Sequence, residues 1–273
     1  MQPFFKLSGG GNDFVALAEP DVVPDPATIR HWCHRGISIG ADGVFVLRRA
    51  GEALALQYWN SDGGEAALCL NAARCAVRLA AVLGWGAPPF RIETGAGPLI
   101  GNVVDAERTS IEAPAPDPPP TLHRLDTEGR TFDGWLTRVG VPHLVVFMET
   151  PLQELDVAWW GSRLRSHSEL DSQGANVDFV EIEGSDRMSL RSFERGIEGE
   201  TLACGTGMVA AAAAGVAAGR TGLPIRVTTR GGFEFEIRTE EKPNSAQRWF
   251  LAGDARLVAQ GRLADATSGP RPC

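Results

Sequence analysis

One segment of this chain occurs twice. Glu194-Arg195-Gly196-Ile197-Glu198-Gly199-Glu200-Thr201-Leu202-Ala203-Cys204-Gly205-Thr206-Gly207 runs into an alanine-rich helix ending near Gly219. Asn60-Ser61-Asp62-Gly63-Gly64-Glu65-Ala66-Ala67-Leu68-Cys69-Leu70-Asn71-Ala72 runs into a second such helix ending near Gly84. The two cysteines, Cys69 and Cys204, stand 135 residues apart in a chain of 273. Shorter echoes fall at similar offsets: residues 40–45 resemble 174–179, Thr94-Gly95-Ala96-Gly97 resembles Arg230-Gly231-Gly232, and 11–15 resemble 141–145, which sets His143 opposite Asn12-Asp13. Self-similarity at a fixed offset marks copies of one structural unit. The chain therefore reads as two α/β units of about 130 residues, each long enough to bury its own core and each presenting a helix that opens on a cysteine.

That placement carries chemistry. A helix start leaves backbone N–H groups unpaired and bears a partial positive charge. It favours a thiolate at Cys204 and a carboxylate bound to the amides of Gly205, Thr206 and Gly207. A buried structural cysteine beside a glycine turn is the rival explanation for either thiol, and the recurrence favours acid–base work on an anion. Cys75 lies on the body of the first helix and reads as core. Arg74 and Arg78, one helical turn apart, read as a solvated face.

Composition narrows the function. A net charge of −8 and a pI near 5.2 argue against nucleic acid or an anionic membrane surface as partner. The start lacks a secretory pattern and no apolar run reaches the roughly 18 residues of a spanning helix, so the expected location is the cytoplasm. Five cysteines at irregular spacing do not form a disulfide framework. His31, Cys33 and His34 lack a second ligand pair, so no metal site is expected. There are only two lysines, Lys6 and Lys242, which disfavours a pyridoxal phosphate Schiff base and leaves carbanion chemistry without that electron sink. No cofactor is expected.

Periodicity and breakers predict strand, glycine turn and strand over 4–18, a helix over 26–36, and strands at 43–48, 53–59, 90–94 and 98–104. The proline-rich 113–120 reads as the linker between halves. Beyond it come strands at 135–139 and 144–148, then a helix within 151–170 whose Trp159 and Trp160 read as core or interface. A strand at 188–193 leads to a small, apolar helix over 207–219, buried on all sides. Strands at 225–229, 233–238 and 248–259 finish the second half, and 266–273 form a mobile tail in which Cys273 has no role.

The motifs Gly-Asn-Asp-Phe at 11–14, Gly-Ala-Asp-Gly at 40–43, Asn60 to Asp62, Cys69 to Cys75, Pro142-His143, Asn176-Val177 and Glu194 to Gly207 together resemble the diaminopimelate epimerase family over nearly the whole chain. The resemblance implies an α/β (α+β) fold of two pseudo-repeated domains, each a curved mixed sheet around a central helix. Their bounds would be 1–117, with a C-terminal strand at about 258–267 returning to it, and 118–257, followed by the tail 268–273. It implies a pyridoxal-independent isomerase that converts LL- to meso-diaminopimelate: one cysteine removes the α-proton as thiolate and the other delivers a proton as thiol. By matching position, Cys69 and Cys204 are the acid–base pair, assisted by His143 and Glu194. Asn71, Gly205 and Thr206 hold the reacting carboxylate, Leu70 is a further substrate-binding position, and Asn12, Asn60, Asn176, Glu194 and Arg195 grip the substrate. The implied partner is a small amino-acid substrate, with no nucleic acid and no membrane, and a homodimer is left open.

The chain departs from the family pattern at Leu70 and Ala72, which stand where the family carries glycines, and at Val141, where many members carry asparagine. The first pair adds β-carbons beside the anion, and a left-handed backbone there would be strained. Two other functions compete: a pyridoxal-independent racemase of a different amino acid, and a catalytically impaired anion-binding relative.

Overall fold

The computed structural model describes residues 2–242 and 245–263, so the expected tail and Cys273 lie outside the described residues. The chain divides into two compact units, one built from residues of 1–111 and 254–273 and the other from Glu112–Gly253.

The first unit begins with β1 (Gln2–Gly9) and β2 (Asn12–Ala18), joined at Gly10 and Gly11, whose φ of 66° and 83° is backbone that glycine adopts without strain. Helix α1 (Pro26–Cys33) starts at Asp25, whose side chain accepts from the Thr28 N–H, with Pro26 in the first turn, and stops short of the expected Gly36. Strands β3 (Gly43–Ala50), β4 (Ala53–Asn60) and the short β5 (Glu65–Ala66) lead to α2 (Leu70–Val82). Then come β6 (Phe90–Thr94), β7 (Gly97–Val103) and β8 (Arg108–Ala113).

The second unit repeats this plan. It contains β9 (Thr121–Thr127), β10 (Arg130–Val139), β11 (Val141–Phe147), α3 (Val157–Leu164), β12 (Asn176–Gly184), β13 (Arg187–Glu194) and β14 (Gly199–Thr201). Helix α4 (Gly205–Ala217) and strands β15 (Ile225–Thr229), β16 (Glu234–Lys242) and β17 (Ser245–Asp254) complete it. The last strand, β18 (Arg256–Leu263), belongs to the first unit and pairs antiparallel with β1.

Pairing follows one pattern twice. In the first unit β1–β2 is antiparallel, β2–β3 parallel, β3–β4 antiparallel, β4–β6 parallel and β6–β7–β8 antiparallel. In the second, β10–β11 is antiparallel, β11–β12 parallel, β12–β13 antiparallel, β13–β15 parallel and β15–β16–β17 antiparallel. Strand β9 flanks β10 as β18 flanks β1. Helix α2 packs against β1, β4, β7 and β18, and α4 against β10, β11, β12, β13 and β16. Each helix thus touches strands from both sides of its own mixed sheet, so the sheet curves around it. The expected architecture is borne out.

Four further expectations differ. The run 248–259 is two strands, because the chain leaves β17 at Asp254 and Ala255 bonds to Glu107 O before β18 begins. Strand β9 is not among the expected strands: its only buried residue is Leu125, so alternation is faint, and its order comes from pairing along β10. Helix α3 falls inside the expected range and Trp160 packs on the core, edge-on to Phe132 at 5.0 Å, but Trp159 is exposed, with the Arg163 guanidinium 3.1 Å from its ring centroid. Arg74 and Arg78 are not on a solvated face. Both are buried, because α2 is enclosed by its sheet, and Arg78 donates to Ala255 O, Asp105 O and Arg108 O.

Candidate active site

Cys69 and Cys204 are the N-cap residues of α2 and α4, two helices of 13 residues each. The first N–H bonded inside α2 is that of Ala73, to Cys69 O, and the first inside α4 is that of Met208, to Cys204 O. Neither helix has a side-chain cap. Three N–H groups at each mouth are therefore left without a backbone partner in their own helix; that of Gly207 meets the Cys204 sulfur, and the others can serve an anion. The β-carbons of Leu70 and Ala72 bring no strain, since both lie in right-handed helix and neither is among the positive-φ residues.

In the first unit the site residues divide. Asn71 donates from Nδ2 to Asn12 Oδ1 at 2.6 Å, and Asn12 Nδ2 donates to Asp42 Oδ2 at 3.0 Å. Behind them Arg74 donates to Asn71 Oδ1 at 2.9 Å. Both amides are thus oriented by the protein itself. Asp42 and Asp13 share Arg35, and Asp13 also pairs with Lys6 at 2.7 Å. Burial opposes the charge on Asp13, but the bonds from Arg35 and Lys6 outweigh it and hold its carboxyl at about 2. Leu70 is buried at the first turn of α2. Asn60 closes β4 with an exposed side chain, and no hydrogen bond joins that side chain to the Asn12–Asn71 pair among the described residues. The Tyr58 hydroxyl hydrogen-bonds Cys69, and burial, followed by the Cys69 charge and bond, raises it far above an ordinary phenol.

In the second unit the expected residues converge on the mouth of α4. His143 is wholly buried; its Nδ1 lies 2.7 Å from Asp178 Oδ2 and its Nε2 3.0 Å from Thr206 Oγ1. Thr206 Oγ1 is in turn 3.6 Å from Cys204 Sγ. Glu194 accepts from Thr201 Oγ1 at 2.5 Å and also bonds Cys204. Burial, chiefly, and the neighbouring Asp178 raise the Glu194 carboxyl above its usual range. Asn176 Oδ1 accepts from Arg195 N at 2.8 Å, and the Arg195 guanidinium rests on Gln173. Gly205 is the first helical residue.

The thiolate expected at Cys204 is not the resting form. Burial above all, then the charges of Glu194 and Asp178, push this thiol well above its ordinary value, and Thr206 and the Gly207 N–H offset only part of that. The Gly207 N–H bond is a weaker influence than the two carboxylates beside it. Cys204 is accordingly set to donate a proton, and it becomes a base only with an acceptor at hand.

Asp178, Ser192, Thr201 and Tyr58 have no role in the sequence reading. Asp178 lies two residues after Asn176, but a charged residue in a strand gives no local sign that it is buried. The internal alignment also slips by one. In the first unit Val15, Val44 and Trp59 share one buried cluster, and in the second Leu144, Val177 and Phe193 do. With Val15 paired to Val44 and Leu144 to Val177, the partner of His143 is Phe14 rather than Asp13, that of Asp178 is Phe45, and that of Ser192 is Tyr58. A one-residue slip exchanges the faces of a strand.

The family profile described as diaminopimelate epimerase matches residues 4–114 and 136–258. The chain belongs to the diaminopimelate epimerase family. It is 34% identical to the diaminopimelate epimerase of Archaeoglobus fulgidus, covering 95% of each chain. It is 33% identical to that of Aquifex aeolicus over 96% of this chain and 98% of the relative, and 35% identical to that of Gemmatimonas aurantiaca over 96% and 99%. Among solved structures, a putative phenazine biosynthesis PhzC/PhzF protein of Clostridium difficile matches with a TM-score of 0.72 at 12% identity, covering 97% of this chain and all 100% of that one. A probable proline racemase of Agrobacterium radiobacter K84 matches with a TM-score of 0.69 at 16% identity, covering 99% and 95%. At those identities the likeness is one of fold. No helix of the described residues is long and apolar enough to cross a membrane.

Proposed function

We propose that this protein epimerises LL-2,6-diaminopimelate to meso-diaminopimelate without a cofactor, as a cytoplasmic enzyme, by a two-cysteine acid–base mechanism. Family membership supports the reaction. The observation that carries the mechanism is that both units place a cysteine at the uncapped start of a helix of the same length.

Inversion at an α-carbon needs a base on one face and an acid on the other. Cys69 and Cys204 take these two roles and exchange them in the reverse direction, with Glu194 and His143 taking or returning the thiol proton. The N–H groups opened by Leu70, Asn71 and Ala72 and by Gly205 and Thr206 stabilise charge developing on the substrate α-carboxylate; a donor of this kind is worth about 3 kcal/mol. Asn12, Asn60, Asn176 and Arg195 bind the polar distal end. The partner is this small amino acid, and a homodimer is open to sedimentation.

The test is proton exchange: reduced protein with LL-diaminopimelate in deuterated water, following α-deuterium and meso product together. Deuterium appearing with meso product supports both reaction and mechanism. Folded protein with two titratable thiols and no exchange would sink the reading and leave another amino acid or an anion-binding role.

A further inference from the structure

We propose that Asp178 is a positioning residue of the reaction: it holds His143 with the proton on Nδ1, so that Nε2 stands as a base at the Thr206 hydroxyl. This rests on the reading of His143 as an acid–base group.

The geometry is closed on all sides. A carboxylate only accepts hydrogen bonds. With Asp178 Oδ2 at 2.7 Å, His143 Nδ1 must carry a hydrogen. In the neutral ring Nε2 then has a lone pair, and Thr206 Oγ1 at 3.0 Å donates to it. The other oxygen, Oδ1, accepts from Ser192 Oγ at 2.6 Å. Helix α4 leaves room for the carboxylate only because residue 207 is glycine: a Cβ there would collide with Asp178 Oδ1. Asp178 and His143 are both 0% exposed.

A buried carboxylate is costly, and among the described residues no lysine or arginine pairs with Asp178. The fold does not require it. The other unit holds Phe14, Phe45 and Tyr58 at the positions of His143, Asp178 and Ser192, with ring centroids 6.1 Å and 6.0 Å apart, in the same strand register. One copy of the repeat fills this place with an aromatic cluster, and the other replaces it by a histidine, its carboxylate and a hydroxyl that fixes the carboxylate. The polar set lies against Thr206 and hence the Cys204 mouth, where Glu194 is the other titratable neighbour. Asp178 reaches the chemistry only through the ring it orients.

In the working enzyme the proton bookkeeping is short. Thr206 Oγ1 gives its proton to Nε2 as it takes the proton of the Cys204 thiol, which leaves a thiolate, an intact hydroxyl and an imidazolium whose charge the Asp178 carboxylate balances. The reverse step returns the proton.

The test has two parts. Histidine-labelled wild-type protein at pH 8, with the His143 signals assigned by their loss in His143→Asn, should show Nδ1 protonated and Nε2 unprotonated in the 15N spectrum. A ring protonated at Nε2, or at both nitrogens, overturns the proposal. Asp178→Asn, checked for folding by its melting profile, should disturb that tautomer and lower kcat by roughly 10- to 10³-fold while KM stays within about twofold. Unchanged kcat in folded Asp178→Asn also overturns it. The wild-type spectrum needs no substrate: an Nδ1–H ring in a protein that does not turn over diaminopimelate would refute the proposed function and leave the positioning intact.

Discussion

At the scale of single residues, the two thiols are chemically unlike. Cys69 is half-buried beside a phenol, whereas Cys204 is buried among carboxylates that hold it protonated. The sign for Glu194 follows. Its negative charge helps push Cys204 up, so Glu194→Gln should bring the thiol down. Peptide-resolved iodoacetamide labelling of Cys204 should then begin at a lower pH than in wild type. Turnover should move the other way, falling about 10²-fold, because a proton acceptor is lost. Labelling that starts at the same pH would show that the Glu194 charge is not felt at Cys204. Local sequence revealed the cysteines, since helix caps are a local matter, but it misjudged the Cys204 thiol, whose state is set first by burial and then by Glu194 and Asp178, on strands the helix start does not reveal.

At the scale of elements, α2 and α4 were legible and their surroundings were not. Apolar and small residues predicted both helices, and both Cys starts are as read. The helical spacing of Arg74 and Arg78 looked like a solvent face only because the sheet that encloses α2 comes from distant chain. Arg78 now fixes the exit of the chain into β18 through Ala255 O and ties down the β7–β8 turn through Asp105 O and Arg108 O. Arg78→Met keeps much of the apolar stem and removes the donors. It leaves three carbonyls, those of Asp105, Arg108 and Ala255, short of this partner, which should cost about 2–4 kcal/mol in urea unfolding. A loss under about 0.5 kcal/mol would mean that water replaces the guanidinium without penalty.

At the scale of the whole molecule, the repeat made the fold readable, because two copies of a pattern constrain one another where one copy would not. What the repeat alone did not carry was the exchange at the end, which only the family resemblance implied: the second unit's last strand runs on into β18 of the first unit. β18 pairs with β1 from Gln2 opposite Leu263 to Ser8 opposite Arg256. It buries Leu263 with Phe4 and Val15, and Gly261 passes close under the Phe4 ring. β1 in turn packs on α2, which carries Cys69. Ending the chain after Ala255 keeps the Arg78 acceptor but strips β1 of its outer neighbour and opens that core. Hydrogen exchange followed by mass should then show lost protection over β1, β2 and α2, with α4 and β11–β13 protected as before, since those strands close around α4 within their own unit. Activity should vanish with the first unit. Retained protection over β1 and β2 would mean that the first sheet closes without its returning strand, and that β18 is an appendage rather than the piece that completes the fold.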